Sequence, residues 1–272
     1  MPSSQITFPA EPRTNARERP PGTVIVVGGL DPSGGAGLLR DVATARSLGA
    51  PVVAIGTAWT EQADGIHRVE PRAPAAVREA LARALGAGGA AVKIGMAVGP
   101  ATAAALVGGL ADFSGPVVVD PVLASSRGGT LWAGTPADLL PLLRRATLVT
   151  PNGPEAAALV GRTIADTEGA VVAGRALIEG AGLRAVLVKG GHLGDDPAEV
   201  TDLLVTAAGT LRFAHRRVGG PSPRGTGCAL ATAIAVELAS EAPLERACDC
   251  AIRWLAGAIA SAARTQGELH LP

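Results

Sequence analysis

Tyrosine is absent from this 272-residue chain, and phenylalanine and tryptophan supply only 2% of it. That removes the stacking platforms on which single-stranded nucleic-acid binders rest their bases. Excess charge of either sign is also missing. Lys+Arg and Asp+Glu both number 24 and the pI is near 6.9, so no general field draws the chain to nucleic acid or an anionic membrane. No apolar run reaches the ~18 residues of a membrane span, and the opening "MPSSQITFPAEPRTNARERPPG" lacks the apolar centre of a secretory signal. The expectation is a cytoplasmic protein whose partner is a small molecule. Cysteine is scarce as well: Cys228, Cys248 and Cys250 are too few for a four-thiolate zinc site. Cys248 and Cys250 stand two apart in a helical pattern and so point to different faces. A reducing compartment fits this usage.

What is present is an alternation of short β-branched runs with amphipathic stretches, in a chain that is 47% hydrophobic and 18% charged. Residues 1–22, rich in Pro, Arg and Ser without apolar periodicity, read as a loosely attached arm. From Thr23 onward strands are expected at 23–28, 51–58, 90–95, 116–122, 146–152 and 184–191. Helices are expected near 36–48, 74–86, 100–111, 136–144, 153–160 and 168–181. A hairpin over 199–215 turns at Ala207-Ala208-Gly209, and two helices at 226–240 and 243–264 close the chain. This is βαβ grammar, and one three-layer α/β/α domain over 23–272 with a mostly parallel central sheet accounts for it. Ligands of such sheets lie outside the carboxyl ends of the strands. That rule singles out 28–37, 62–65, 93–96, 120–122, 150–155, 189–192 and the "RGTGC" segment at 224–228.

Each segment carries residues with a chemical use and a plainer alternative. "GGLDPSGGAG" (28–37) places five glycines between a strand and a helix, which permits close backbone approach to a ligand but also describes a generic turn. Asp41, one turn into that helix, is on its own equally an exposed acid facing the helix dipole. Asp120 ends a buried strand in "VVVDPV", and an acid there needs a cation or a partner. With Glu155 of "TPNGPEA" it could share a hydrated Mg²⁺ and substrate phosphates, although Glu155 alone also suits a helix N-terminus. Lys189 of "VLVKGGH" could meet phosphate oxygens or solvent. Gly225, Thr226 and Gly227 lead into a helix whose first N–H groups favour an anion, and a thiol there, Cys228, is expected to have a lowered pKa. A buried inert thiol is the competing reading.

Taken together, "GGLDPSGGAGLLRD", "VKIGM", "VVVDPV", "TPNGPEAAAL", "VKGGH" and "GTGC" resemble, in order and spacing over about residues 23–262, the hydroxymethylpyrimidine and phosphomethylpyrimidine kinases of thiamine biosynthesis. These kinases have the ribokinase-like fold. The resemblance implies transfer of the γ-phosphoryl group of ATP, with Mg²⁺, to 4-amino-5-hydroxymethyl-2-methylpyrimidine, and in some members to its monophosphate, usually in a homodimer. Position by position, it places Gly29, Asp41, Gln62, Met96 and Val122 in the pyrimidine pocket and Asp120 and Glu155 at the metal. It places Asn152, Lys189 and Arg224 on the nucleotide side, and Gly225, Thr226, Gly227 and Cys228 in an anion hole with its proton-accepting thiol. A pyridoxal or pyridoxine kinase and a non-catalytic pyrimidine binder are the alternatives. The chain departs from the family pattern at Ala63 and Asp64, at Ser125-Ser126-Arg127-Gly128, and at Ser222-Pro223-Arg224 before the "GTGC" element. Trp59 is expected to bring bulk to the pocket side of its strand.

Overall fold

β-Branched and leucine-rich runs that are apolar on both faces can be covered only by helices above and below, and the chain supplies both covers. A computed structural model describes residues 19–62, 66–125, 128–193, 198–219, 223–265 and 268–271. In chain order its elements are β1 (Thr23–Leu30), α1 (Gly37–Ser47), β2 (Val52–Gln62), β3 (Ile66–Pro71), α2 (Pro74–Gly86), β4 (Gly89–Ile94), α3 (Pro100–Gly109) and β5 (Val117–Val119). A 3₁₀ turn (Pro136–Leu139) runs into α4 (Leu140–Leu143). Then come β6 (Leu148–Val149), α5 (Gly153–Val160), α6 (Thr167–Glu179), β7 (Ala185–Val188), β8 (Glu199–Thr206), β9 (Gly209–Arg216), α7 (Thr226–Leu238) and α8 (Leu244–Ala260). A small ribbon, β10 (Ala263–Thr265) and β11 (Glu268–His270), follows.

Nine strands form one sheet in the order β3-β2-β1-β4-β5-β6-β7-β8-β9. Strands β2 through β7 in that row, with β1, are parallel; β3, β8 and β9 join antiparallel. One face of the sheet packs Ile25, Val27, Val92 and Ile94 against Val77, Leu81, Leu106 and Leu142. The other packs Val24, Val26, Val118 and Leu148 against Leu38, Leu230, Ile234 and Ile252. The α/β/α expectation therefore holds. Helix α7 is apolar all round and buried from Ala229 through Glu237, as a helix enclosed between sheet and α8 must be. Cys248 belongs to that core, and burial raises its thiol; Cys250 is only partly buried, with Arg253 3.8 Å from its sulfur.

Boundaries differ from expectation where tertiary contact overrides pattern. β2 runs on to Gln62 and pairs with β3 in an edge hairpin that the polar sequence conceals. The strand expected over 146–152 shrinks to two residues, because Asn152 leaves it to cap α5. The β8–β9 hairpin turns where expected, with Thr206 opposite Gly209. Most of the N-terminal arm lies outside the described residues. Its last residues are tied down, with Arg19 paired to Glu241 and the Gly22 N–H donating to the Ala239 carbonyl at 3.0 Å.

β1 connects leftward to β2 while β4 starts the rightward row, so the chain changes direction between β1 and β4. Their carboxyl ends open the crevice in which ligands of such sheets bind.

Candidate active site

A cavity of about 810 Å³ occupies that crevice. It is lined from one end to the other by Gly29, Asp41, Met96 and Val122, by Asp120, Asn152, Glu155 and Lys189, and by the start of α7. Thirteen of the fourteen expected site residues, all but Gln62, thus line one cleft.

At the β1/β4 end the wall is apolar. Met96 and Val122 pack with Ala58, Val98 and Leu131, and Thr57 fixes Met96 by donating its hydroxyl to the Met96 carbonyl at 2.7 Å. Gly29 lies so close that a Cβ there would stand 2.5 Å from the Met96 sulfur, leaving the glycine backbone bare toward the cleft. Val98, a β-branched residue, holds φ +64° at this wall, a strained conformation that tends to gather at binding sites. Asp41 is the polar group here. It is fully buried, not an exposed helix acid, and accepts two bonds from Lys93 Nζ at 2.7 and 2.8 Å and one from the Thr232 hydroxyl at 2.9 Å. Burial pulls the Lys93 ammonium down, but the Asp41 carboxylate, together with Cys228 and Asp120, outweighs it and raises the group to about 12. Lys93 also lines the cleft and had received no role from the sequence. A lysine among the aliphatic residues of "AAVKIG" was the available signal, since it cannot be buried without a carboxylate.

Gln62 ends β2, and its side chain, like Ala63, Asp64, Ser126 and Arg127, lies outside the described residues. Trp59 does not crowd the pocket. Ala58 and Thr60 turn inward, so alternation along the strand sends Trp59 outward, where it is 51% exposed.

The other end is charged. Asp120 accepts from Lys189 Nζ at 2.7 Å and from the Thr150 hydroxyl at 3.2 Å, and Glu155 stands 3.7 Å from the same ammonium. Asn152 and Glu155 form a reciprocal cap on α5: Asn152 Oδ1 accepts the Glu155 N–H, and Glu155 Oε2 accepts the Asn152 N–H, both at 2.8 Å. Burial, partly offset by Lys189, pushes the Glu155 carboxyl up to about 7. Burial lowers Lys189, but Asp120 and Glu155 more than restore it, so it stays an ammonium.

Helix α7 starts between these two ends. Gly225 takes φ +72°, and a Cβ on it would stand 2.4 Å from the Gly35 carbonyl oxygen, so only glycine permits this turn. A Cβ on Gly227 would stand 3.0 Å from Lys189 Nζ and 3.6 Å from Asp120 Oδ2. The unpaired N–H groups of the first turn therefore open beside the lysine. Cys228 feels both ends, but the expected lowered pKa is corrected. Burial pushes the thiol up to about 11, with Asp41 and Asp120 adding to the rise, and Lys93 and the Gly37 N–H only partly offset it. The helix terminus does not win because burial disfavours the thiolate and two carboxylates add to that effect.

Arg224 lines the same cleft. Its Nη2 donates to Asp31 Oδ2 at 3.1 Å and its Nη1 to the Ser33 hydroxyl at 3.0 Å. The guanidinium is thereby bonded to the β1–α1 loop.

Comparison with known proteins decides the family. The phosphomethylpyrimidine kinase family model matches residues 31–272. The chain belongs to this family. A hydroxymethylpyrimidine/phosphomethylpyrimidine kinase of Rhizobium meliloti is 36% identical over 249 residues, covering 88% of this chain and 91% of the relative. The thiamine biosynthesis bifunctional protein ThiED of Geobacter sulfurreducens is 37% identical over 262 residues, which span 52% of that longer protein. Among solved structures, a phosphomethylpyrimidine kinase from Clostridium difficile superposes with TM-score 0.73 at 27% identity, covering 88% of this chain and 99% of that one. A pyridoxal kinase from Staphylococcus aureus in complex with ADP gives 0.82 at 25% identity, covering 92% of each. These likenesses place the chain in a ribokinase-like fold.

A phosphomethylpyrimidine kinase implies a nucleotide and its metal. Among the described residues no three His, Cys, Asp or Glu side chains gather as a ready-made metal cage. Two facing carboxylates that share one ammonium do fit a cation that keeps most of its waters and borrows phosphate oxygens, as Mg²⁺ does.

Proposed function

We propose that the chain is an ATP-dependent kinase that phosphorylates the hydroxymethyl group of 4-amino-5-hydroxymethyl-2-methylpyrimidine, with Mg²⁺, as a step of thiamine biosynthesis or salvage. The observation that carries this reading is the arrangement of two lysine–carboxylate pairs at opposite ends of one cleft, with a helix N-terminus between them. An apolar slot beside a fixed carboxylate suits a flat aminopyrimidine. Lysine, carboxylates and free amides suit a triphosphate.

Asp41, held by Lys93 and Thr232, orients the ring between Met96 and Val122, so that its hydroxymethyl arm points at the start of α7. Asp120 and Glu155 would hold Mg²⁺, which would supply neutralising charge for the triphosphate. Lys189 moves from Asp120 toward the phosphate oxygens, and Asn152 borders the nucleotide. The substrate hydroxyl oxygen bonds the γ-phosphorus as the bond to the β-phosphate oxygen breaks, and ADP leaves. The N–H groups of Thr226, Gly227 and Cys228 donate to the oxygens of the transferring group and so stabilise its charge, where phosphoryl transfer gains most. A thiol raised to about 11 is overwhelmingly protonated at neutral pH, so Cys228 lines this hole as a neutral group, not as a ready base. The hydroxyl proton is released late, onto the transferred phosphoryl oxygens.

The test is ADP formation with hydroxymethylpyrimidine, its monophosphate and pyridoxal assayed side by side. The pyrimidine alcohol is expected to have the highest kcat/KM. Preference for pyridoxal would replace the substrate, and tight pyrimidine binding without ADP would leave a binding protein.

A further inference from the structure

Arg224 stands immediately before the anion-hole turn, yet its guanidinium reaches across to the loop that follows β1. Asp31 there is almost wholly enclosed, with side-chain exposures of 11% for Arg224 and 1% for Asp31. The contact is built from both sides. Asp31 Oδ1 accepts the Ser33 N–H at 3.0 Å, and the Ser33 hydroxyl accepts the Gly35 N–H at 3.2 Å. The two groups that receive the guanidinium are thus the same two that hold the loop in shape. The backbones touch as well, since a Cβ on Gly225 would also stand 3.1 Å from Ala36 Cα. On either side of this loop, Gly29 and Gly37 line the cleft, the first beside Met96 and the second facing Cys228 with its N–H.

We infer that Arg224 is a positioning residue: its bridge to Asp31 and Ser33 clamps the glycine-rich loop against the anion-hole turn and so sets the width of the pyrimidine slot. The inference rests on the proposed kinase reading for its kinetic consequences and on the bridge geometry alone for its structural ones. A charged pair with two donors and two acceptors is specific in geometry as well as strong. Its loss frees the loop rather than a phosphate. The pyrimidine, which contacts the loop's flanks, is the substrate that suffers, and ATP, held at the Lys189 end, is not.

The experiment compares Arg224→Ala, Arg224→Lys, Asp31→Asn and the double variant Arg224→Ala/Asp31→Asn in two readouts. In steady-state kinetics, Arg224→Ala and Asp31→Asn each raise the pyrimidine KM about 10-fold, the loss expected for one hydrogen bond to a charged group. Each leaves the ATP KM within about twofold. The double variant is no worse than either single change, the sign of one shared interaction, and Arg224→Lys recovers part of the loss. In hydrogen exchange without substrate, the Gly34 and Gly35 amides lose protection in both single variants while the β1 amides keep theirs. A rise in ATP KM in Arg224→Ala alone, or unchanged protection at Gly34 and Gly35, overturns the clamp. If the native chain transfers no phosphate at all, the kinase reading fails and the exchange arm still decides the clamp. If Arg224→Ala does not fold, Arg224→Lys and Ser33→Ala carry the same comparison.

Discussion

The cleft contains two lysine–aspartate pairs of the same length, 2.7 Å, and they differ in access and in competing partners. Lys93–Asp41 is sealed, with exposures of 1% and 0%, and Thr232 takes up a further share of Asp41. Lys189–Asp120 is open to the cleft at 13% and 4%, and its ammonium is shared with Glu155. A sealed pair is expensive to break, because either partner left alone is a buried uncompensated charge. An open pair beside a second carboxylate can exchange partners, which a site that admits and releases phosphate requires. Equal geometry therefore does not mean equal function; access and the number of competing partners decide it.

The largest expected effect sharpens this contrast at the open end. Lys189→Gln should lower kcat about 10³-fold, as removal of a group aimed at transition-state charge does, while the melting temperature falls by only a few degrees. Next comes the sealed end. Lys93→Met should cost about 3–5 kcal/mol, or roughly 10 °C in melting temperature for a chain of this size. The double variant Lys93→Met/Asp41→Leu should recover much of that loss without restoring pyrimidine binding, as calorimetry of each protein would show. Between the pairs, Gly225→Ala must force a side chain into φ +72° against the Gly35 carbonyl. It should cost about 1–3 kcal/mol in chemical denaturation and lower kcat with it.

The smallest effect lies at the far rim. His215 Nε2 stands 3.5 Å from Asp202 Oδ2. The Asp202 bond raises the imidazole above its ordinary value, outweighing burial and the charge of Arg217. A raised pKa means the stabilisation is complete below the unfolded histidine value and disappears as pH rises through the folded one. Relative to His215→Gln, the native chain should therefore gain, at pH 5.5 over pH 8.5, at most about 0.5 kcal/mol after solvent screening, measured as the shift in urea midpoint. An equal pH dependence in both proteins would remove the pair from the account.

The layers of the fold were legible because Val- and Ile-rich runs announce buried parallel strands and alanine-rich helices announce their covers. The β2–β3 edge hairpin was not, since a polar edge strand has little pattern to read. At the site, the rule of strand ends singled out the segments that carry Met96, Asp120, Glu155 and Lys189, and the family resemblance added Asp41, before any contact was known. Three things escaped it. The role of Lys93 was missed although its segment, 93–96, was singled out, since only its pairing with Asp41, 52 positions away, shows its purpose. Arg224 finds Asp31 across 193 positions, a distance that local sequence cannot bridge. The acidity of Cys228 depends on burial and on two carboxylates whose convergence is a tertiary fact, so the helix-terminus argument alone gave the wrong sign.

The central claim, that the open pair performs the transfer while the sealed pair holds the pocket, is tested most directly by kcat of Lys189→Gln at saturating ATP and hydroxymethylpyrimidine. A loss of about 10³-fold is expected, in a protein that still melts cooperatively within a few degrees of the native chain. A kcat within about threefold of native, on the same scale, would contradict it.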